Sequence, residues 1–294
     1  MPELPEVETM RRGIADLRGA TIVEARFPVG RCRPLTIQPD HGRLAALLRG
    51  TRVGTIERRG KRVAIGIEGM AAPHWLVIEP RMTGLLLVAD PPTEKHLRME
   101  LSLGADAPHR RLLFWDQRGL GTIRLLDAAG LDRACGPGVL GPDGLVVTPA
   151  DLSARLARSR RAVKVALLDQ RVVAGIGNIY AAEILHRAGV DPRCACHRLG
   201  GEAIARIAAA ARRILGTAVE HEGSSIGDEL YRTADNRKGR FQRLHRVYGR
   251  EGLACRGCGG PIERIVQAQR STFFCPACQR PPSRRGLVRG RRGA

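Results

Sequence analysis

The chain opens with the stretch Met1-Pro-Glu-Leu-Pro-Glu-Val-Glu8, and the rest of the sequence is organised around it. Pro5 suits the first turn of a helix, because its missing N–H leaves no donor unpaired there. Apolar residues then recur at helical spacing, at Val7, Met10, Ile14 and Leu17. The start of such a helix offers unpaired N–H groups and a positive dipole end, so it attracts anions.

The residues after Met1 also suggest covalent chemistry. We expect Met1 to be removed because Pro is small, and Pro2 then carries a secondary amine at the terminus. Glu3 places a carboxylate beside that amine. A nucleophile, a carboxylate and an anion-attracting helix end would therefore meet at one point. An ordinary acidic N-terminus that caps a helix explains the same residues, and the local sequence alone favours it.

Composition limits the classes of protein. A chain of 294 residues predicts about two domains, and a hydrophobic content of 43% excludes a disordered polymer. The net charge of +20 and the pI of about 11.1 predict a polyanionic partner. Nucleic acid is favoured over a membrane, because no basic amphipathic helix dominates and no stretch of eighteen apolar residues occurs. The N-terminus does not resemble a signal peptide, so we expect a cytoplasmic protein.

Two cysteine pairs predict a metal site. Cys255-x-x-Cys258 and Cys275-x-x-Cys278 are separated by 16 residues, which is the spacing of a zinc ribbon. Four thiolates complete a zinc tetrahedron, so we expect one structural Zn²⁺ with no open position. The other four cysteines form no regular framework, which argues against a disulfide-rich secreted fold.

The two halves of the chain differ in pattern. Short apolar or alternating runs separated by Gly and Pro predict a sandwich or barrel, with strands at 21–27, 52–56, 62–67, 75–78, 85–88, 97–103 and 121–126. After a connection at 132–149, helical spacing predicts helices at 152–158, 163–168, 179–187 and 202–220. The polar, Gly-rich segment 223–246 predicts a mobile loop. The last 16 residues hold six Arg and no acid, which predicts a disordered basic tail.

The opening Met1-Pro-Glu-Leu-Pro-Glu-Val-Glu-Thr9 resembles that of the bacterial formamidopyrimidine-DNA glycosylases, within the formamidopyrimidine-DNA glycosylase and endonuclease VIII family. The resemblance continues to the last cysteine pair and implies a multidomain α+β fold. We expect a catalytic two-sheet β-sandwich with flanking helices at 1–131 and a linker at 132–149. A helix-two-turn-helix domain follows at 150–248, with a lesion-covering loop at 223–246. A zinc-finger hairpin at 249–278 and the tail at 279–294 complete the chain.

The resemblance also assigns site residues. It implies Pro2 as nucleophile, Glu3 as acid–base group, and Lys61, from the segment Arg58-Arg-Gly-Lys61-Arg, in the same cleft. Arg270 matches the arginine that the family directs at phosphate near the lesion. The segments 163–170 and 175–180 closely match the helix-two-turn-helix. The implied DNA contacts are Met82, His96, Arg118, Leu120, Arg160, Lys164 and Asn178.

The implied activity is that of a monomeric, bifunctional enzyme of base excision repair. It would bind damaged double-stranded DNA at the nucleoid and remove oxidised purines, 8-oxoguanine and formamidopyrimidines, through a Pro2 Schiff base followed by β,δ-elimination. Two departures affect the duplex-entering loops: Leu120 stands where the family usually has Phe, and Glu79-Pro-Arg81 replaces the frequent His-Leu-Gly. A glycosylase of the endonuclease VIII type for oxidised pyrimidines and a non-catalytic damage-binding protein remain alternatives.

Overall fold

The computed structural model describes residues 2–28, 33–227 and 230–280. These residues form two compact units, one made of the residues up to Gly141 with Leu215–Leu244, and the other made of Pro142–Ile214 with the residues from His245 onward. The segment 215–244 packs with the N-terminal unit, whereas the resemblance implies that it belongs to the helix-two-turn-helix domain at 150–248. Of the predicted basic tail, all residues beyond Arg280 lie outside the described residues.

Helix α1 (Leu4–Gly13) follows the opening stretch, as the apolar spacing predicts. Glu3 is its N-cap in extended backbone conformation, and the first turn contains a proline. A short 3₁₀ turn at Ala15–Leu17 extends the helical face. All four residues of the predicted apolar stripe are fully buried, at Val7, Met10, Ile14 and Leu17. Burial of this stripe places the helix start, with Pro2 and Glu3, against the sheets.

Nine strands of the first unit form two sheets. Their bounds are β1 (Ile22–Arg26), β2 (Thr36–Gln38), β3 (Arg52–Arg59), β4 (Arg62–Glu68), β5 (His74–Glu79), β6 (Gly84–Leu87), β7 (Leu97–Leu103), β8 (Arg111–Asp116) and β9 (Thr122–Asp127). The strand orders are β1-β7-β8-β6 and β2-β9-β5-β4-β3, with β2 and β9 parallel and the other pairs antiparallel. One apolar core joins both sheets and α1, so the predicted sandwich is confirmed.

Four elements of this unit were not predicted from the residue pattern: β2, β8 and the helices α2 (His41–Leu48) and α3 (Ala128–Cys135). Strand β8 lies between β7 and β6, and its residues after Arg111 are all buried, so it shows no alternation of polar and apolar side chains. In β7 the apolar residues alternate with Arg98, Glu100 and Ser102, a pattern that predicts one buried and one exposed face, but nearly the whole strand is buried. Arg98 and Glu100 are buried, because Arg98 donates to a backbone carbonyl and Glu100 pairs with Arg26.

Helix α3 (Ala128–Cys135) ends the sandwich. The second unit contains α4 (Pro149–Leu156), α5 (Val163–Leu167), α6 (Asn178–Ala188), the first part of α7 (Gly201–Glu220), and a hairpin of β10 (Glu263–Gln267) and β11 (Arg270–Phe274). The four helices fall where the apolar spacing predicts them. Within the described ranges, no helix has the length and apolarity that spanning a membrane requires.

Candidate functional site

Pro2 is buried and lines a cavity of the first unit. The cavity also includes Met82, from the loop between β5 and β6. The remaining lining residues are Thr83, Leu85, Ser224, Ile226, Leu230 and Tyr231. The structure therefore places the predicted nucleophile beside one predicted duplex-entering residue and beside the segment predicted to cover the lesion.

Glu6 fixes the backbone around this cavity, and the sequence reasoning did not single it out. Its carboxylate accepts the N–H of Glu3 at 2.8 Å and the N–H of Ser224 at 2.8 Å. The Tyr231 hydroxyl donates to the Glu6 carbonyl at 3.4 Å, and burial together with the Glu6 charge raises the pKa of Tyr231 well above its usual value. Glu6 stands three residues after the N-cap, the spacing of a capping box, which is a signal that the sequence offered.

Lys61 lies in the two-residue turn between β3 and β4, where Gly60 adopts a φ of 60°. Arg58 holds this turn by donating to the Gly60 carbonyl at 3.1 Å, and it also donates to the buried carboxylate of Glu8 at 3.1 Å. Burial raises the pKa of Glu8, but hydrogen bonds from Arg11 and neighbouring arginines outweigh it and lower the pKa. This chain of contacts ties the hairpin that carries Lys61 to the helix that follows Pro2.

The predicted duplex-entering residues lie on two adjacent loops. Met82 precedes β6, and Arg118 and Leu120 follow β8, its partner strand. Arg118 is exposed, while Met82 and Leu120 are half-buried. Gly119 has a φ of 61°, and a Cβ there would lie 2.5 Å from a backbone oxygen of the first unit, so glycine is needed between the two side chains.

His96 lies at the end of a 3₁₀ turn and packs edge-on against Trp115, with ring centroids 5.5 Å apart. Desolvation and the positive charges of Arg98 and Lys95 lower the pKa of His96. In the protein without DNA the imidazole is therefore neutral at pH 7.

Lys164 is fully buried in the second unit, although the resemblance implied a direct phosphate contact. Its ammonium donates to Asn178 Oδ1 at 2.6 Å, to Thr272 Oγ1 at 2.8 Å and to the Ser271 carbonyl at 3.2 Å. The Asn178 amide donates to the same carbonyl at 3.1 Å. These hydrogen bonds join α5, the start of α6 and β11, so Lys164 fixes the orientation of the Asn178 side chain.

Arg270 and Arg160 are exposed on the second unit. Arg270 begins β11, directly after a two-residue turn in which Ala268 and Gln269 both have positive φ, 46° and 59°. This conformation matches the twist of a tight hairpin but strains non-glycine residues, and such strain is concentrated at functional loops. The tight turn presents Arg270 at the tip of the hairpin.

The four predicted zinc ligands lie close together in the folded chain. The sulfur atoms of Cys255, Cys258, Cys275 and Cys278 all lie within 4.8 Å of one another. The pairs Cys255–Cys278 and Cys258–Cys275 are 3.9 and 3.4 Å apart, close to the ~3.8 Å edge of a tetrahedron with Zn–S bonds of ~2.3 Å.

Two thiols of this cluster have pKa values that are shifted in opposite directions. Burial raises the pKa of Cys255, but hydrogen bonds from the Gly257 N–H and the His186 ring outweigh it and lower the pKa to about 6. The hydrogen bond with Cys258, followed by burial, raises the pKa of Cys278 to about 12. A divalent cation is what would allow four thiolates to coexist there, so the cluster fits one Zn²⁺.

Comparison with known proteins covers both units. The family models for the formamidopyrimidine-DNA glycosylase N-terminal domain and H2TH domain match residues 1–123 and 140–229. A third, for the zinc finger found in FPG and IleRS, matches residues 252–281, which include all four cysteines of the cluster. The formamidopyrimidine-DNA glycosylase of Chloroflexus aurantiacus is 42% identical over 287 residues, which are 95% of this chain and 98% of that protein.

The chain belongs to the formamidopyrimidine-DNA glycosylase family. The MutM (Fpg) protein of Thermus thermophilus has a similar crystal structure, with a TM-score of 0.81, 38% identity, and coverage of 96% of this chain and 100% of that one. A Lactococcus lactis Fpg mutant in complex with DNA that contains Fapy-dG has a TM-score of 0.82 and 30% identity, and 95% and 99% of the two chains are covered.

The family assignment gives a physical meaning to one of the two departures. Arg81 stands where many formamidopyrimidine-DNA glycosylases have Gly, and its φ of 55° is the left-handed conformation that favours Gly. Glu79, where many members have His, accepts ion pairs from Arg81 and Arg62, each at 3.1 Å. Arg81 thus pairs with Glu79 while its backbone adopts a conformation that costs a non-glycine residue energy.

Proposed function

We propose that this chain removes oxidised purines from double-stranded DNA and then cleaves the strand at the resulting abasic site. It is a DNA glycosylase of base excision repair with abasic-site lyase activity, and it acts as a monomer on DNA in the nucleoid. The observation that carries this proposal is the buried Pro2 at the start of α1, beside Glu3 and lining a cavity, in a chain of this family.

The first step requires the damaged nucleotide to leave the base stack, because its C1′ atom cannot otherwise be reached. The unprotonated Pro2 nitrogen attacks C1′ and forms a C–N bond as the bond to the base breaks. Glu3 acts as the acid–base group at the sugar, a role suited to a buried carboxyl held at a helix start. The bound amine loses its proton, and the C1′–O4′ bond then breaks as Glu3 protonates O4′, which opens the sugar ring. The product is an iminium ion, which stays cationic because no N–H remains on the nitrogen.

The iminium ion then drives strand cleavage. It withdraws electrons from C2′, so a base removes the C2′ proton and the 3′ phosphate leaves by β-elimination. A second elimination releases the 5′ phosphate. We assign Lys61 and Arg270 to the two leaving phosphates, because both are cationic and the resemblance to the family implies both at the site. The zinc, when bound, stabilises the hairpin that carries Arg270.

The remaining residues bind and deform the duplex. Met82 and Leu120 fill the space that the everted nucleotide leaves, and Arg118 hydrogen-bonds the orphaned partner base. His96, Arg160 and Asn178 contact the DNA backbone, Asn178 from the start of α6, where the positive end of the helix dipole favours a phosphate. Lys164 supports Asn178 through the bonds described above.

Borohydride trapping tests the nucleophile. We expect the chain lacking Met1 to be cross-linked to a duplex that contains 8-oxoguanine, with the adduct on the N-terminal residue by peptide mass mapping. Pro2→Gly should lower the yield strongly, and a chain that retains Met1 should not react, because its Pro2 nitrogen is an amide. Full-rate trapping on Lys61 in the Pro2 variant would overturn the assignment.

The same assay distinguishes the alternatives. Faster trapping on a duplex with an oxidised pyrimidine than on one with 8-oxoguanine would indicate an endonuclease VIII type of substrate choice. Tight binding of both duplexes without a cross-link would indicate a damage-binding protein. We favour the oxidised purine because the segment that follows α7 is anchored on Glu6 beside Pro2, where it can cover the base.

A further inference from the structure

Asp116 is a fully buried carboxylate at the end of β8, and no step of the mechanism uses it. One of its oxygens accepts the N–H of Gly121 at 2.8 Å. The other accepts the Thr83 hydroxyl and lies 3.2 Å from the N–H of Arg118. A buried charge is tolerated only when it is well hydrogen-bonded, and each of these donors comes from one of the two duplex-entering loops.

The Thr83 hydroxyl is the centre of this arrangement. It donates to Asp116 and accepts the N–H of Arg118 at 3.0 Å. One oxygen atom thus links the loop that carries Met82 to the loop that carries Arg118. Thr83 is itself buried, so water does not readily replace these bonds.

The local backbone is shaped to allow the contacts. A Cβ on Gly121 would lie 3.1 Å from the Asp116 carboxylate and 2.7 Å from the Phe114 ring. A Cβ on Gly84 would lie 2.6 Å from the Pro80 carbonyl oxygen. Glycine at position 121 lets the second loop approach the Asp116 carboxylate, and glycine at position 84 lets the first loop turn tightly on Pro80 just after Thr83.

We propose that Thr83 and Asp116 act as a latch that makes the two duplex-entering loops move as one body. The proposal rests on the proposed function and names positioning residues for it, since neither side chain needs to touch DNA. Filling the vacated base site requires Met82, Arg118 and Leu120 to enter together. If the loops moved independently, each would have to be ordered separately, and eversion of the base would slow.

Three substitutions separate the hydroxyl from the volume of the side chain. Thr83→Val keeps the shape and removes the hydroxyl, whereas Thr83→Ser keeps the hydroxyl and removes the methyl group. Thr122→Val is the matched control, because the Thr122 hydroxyl is buried in the same unit and makes no hydrogen bond to the described residues. Thermal unfolding of each variant reports whether it folds.

The test measures base eversion by stopped-flow fluorescence of 2-aminopurine placed next to 8-oxoguanine. We expect Thr83→Val to slow this step about tenfold, and Thr83→Ser and Thr122→Val to stay within about twofold of wild type. Borohydride trapping of a preformed abasic site needs no base to be everted, so its rate should stay within about twofold in all variants.

Three results would overturn the latch. They are an unchanged eversion rate in Thr83→Val, an equal slowing in Thr83→Ser, and a slowing of abasic-site trapping as large as that of eversion. The last would show that Thr83 acts through the Pro2 cavity, which it also lines. Eversion is measured without catalysis, so the latch is tested even if wild type forms no cross-link, whereas that absence would refute the proposed function.

Discussion

Replacement of Lys164 by Met distinguishes a buried support from a phosphate contact. The ammonium makes three hydrogen bonds to protein acceptors and has no exposed surface. Met fills nearly the same volume but donates nothing. The Ser271 carbonyl keeps its bond from Asn178, and the Thr272 hydroxyl can still donate to the Arg270 carbonyl. The Asn178 oxygen is the acceptor that loses the most.

The hydrogen bonds that are lost determine how far the stability of Lys164→Met should fall. A buried acceptor left without a donor costs ~1–3 kcal/mol, and relief of the buried ammonium offsets part of that loss. We therefore expect the free energy of unfolding to fall by ~1–2 kcal/mol, which lowers Tm by a few degrees in a chain of this size. DNA affinity should fall about tenfold, because the Asn178 amide is no longer held in one orientation.

The assay is fluorescence anisotropy of a labelled duplex at several salt concentrations. A lost phosphate contact flattens the slope of log affinity against log salt by ~0.9. We expect no such change for Lys164→Met, whereas Arg270→Ala, an exposed arginine, should show it. Lys238→Met, the same substitution at an exposed lysine, should leave Tm unchanged. A slope change of ~0.9 in Lys164→Met with an unchanged Tm would refute the support role and establish a phosphate contact.

Three further predictions concern other parts of the chain. Metal analysis should find about one zinc per chain, and Cys258→Ser should lose it together with most DNA affinity, since metal binding supplies the folding energy of so small a unit; active protein without zinc would contradict this. Folding lowers the pKa of Glu8 below its usual value of 4.5. The contribution of the Glu8 carboxylate to the free energy of unfolding is therefore fully present above pH 4.5, and it is lost as the pH falls through the pKa that Glu8 has in the folded protein. The stability gap between wild type and Glu8→Gln in urea denaturation should therefore narrow from pH 7 to pH 3, and a constant gap would disprove the role of the ion pairs. Leu120→Phe should raise affinity for lesion duplexes, because base–aromatic stacking is worth ~1–3 kcal/mol, and Arg118→Ala should lose discrimination at the opposite base. If Leu120→Ala leaves the 2-aminopurine signal unchanged, Leu120 packs inside the protein and is not part of the wedge.

Local patterns were sufficient for most of the secondary structure. The stripe from Val7 to Leu17 identified α1, because helical spacing and burial on one face go together. The cysteine spacing identified the metal cluster, because two C-x-x-C turns have few other uses. By contrast, β8 was missed, since a central strand covered on both sides has no alternation to detect.

The resemblance to the family identified more residues of the site than the residue patterns alone could. Pro2 and Glu3 alone read as an ordinary helix cap, and only the family motif made them catalytic candidates. Their burial beside a cavity is a property of the folded chain. The domain grouping likewise depended on tertiary contacts, because Ser224 and Tyr231 bond to Glu6, more than 200 residues earlier in the chain.

The roles of Glu6, Asp116 and Lys164 were decided by the tertiary structure. Each is a charged residue of a type that is usually exposed. Each is nearly or fully buried here, and segments distant in the sequence supply hydrogen-bond partners to it. Spacing along a chain reports which side chains share a face, because helices and strands have fixed periods. It does not report which donors meet which acceptors across the fold, and for a buried charge those partners determine what the residue does.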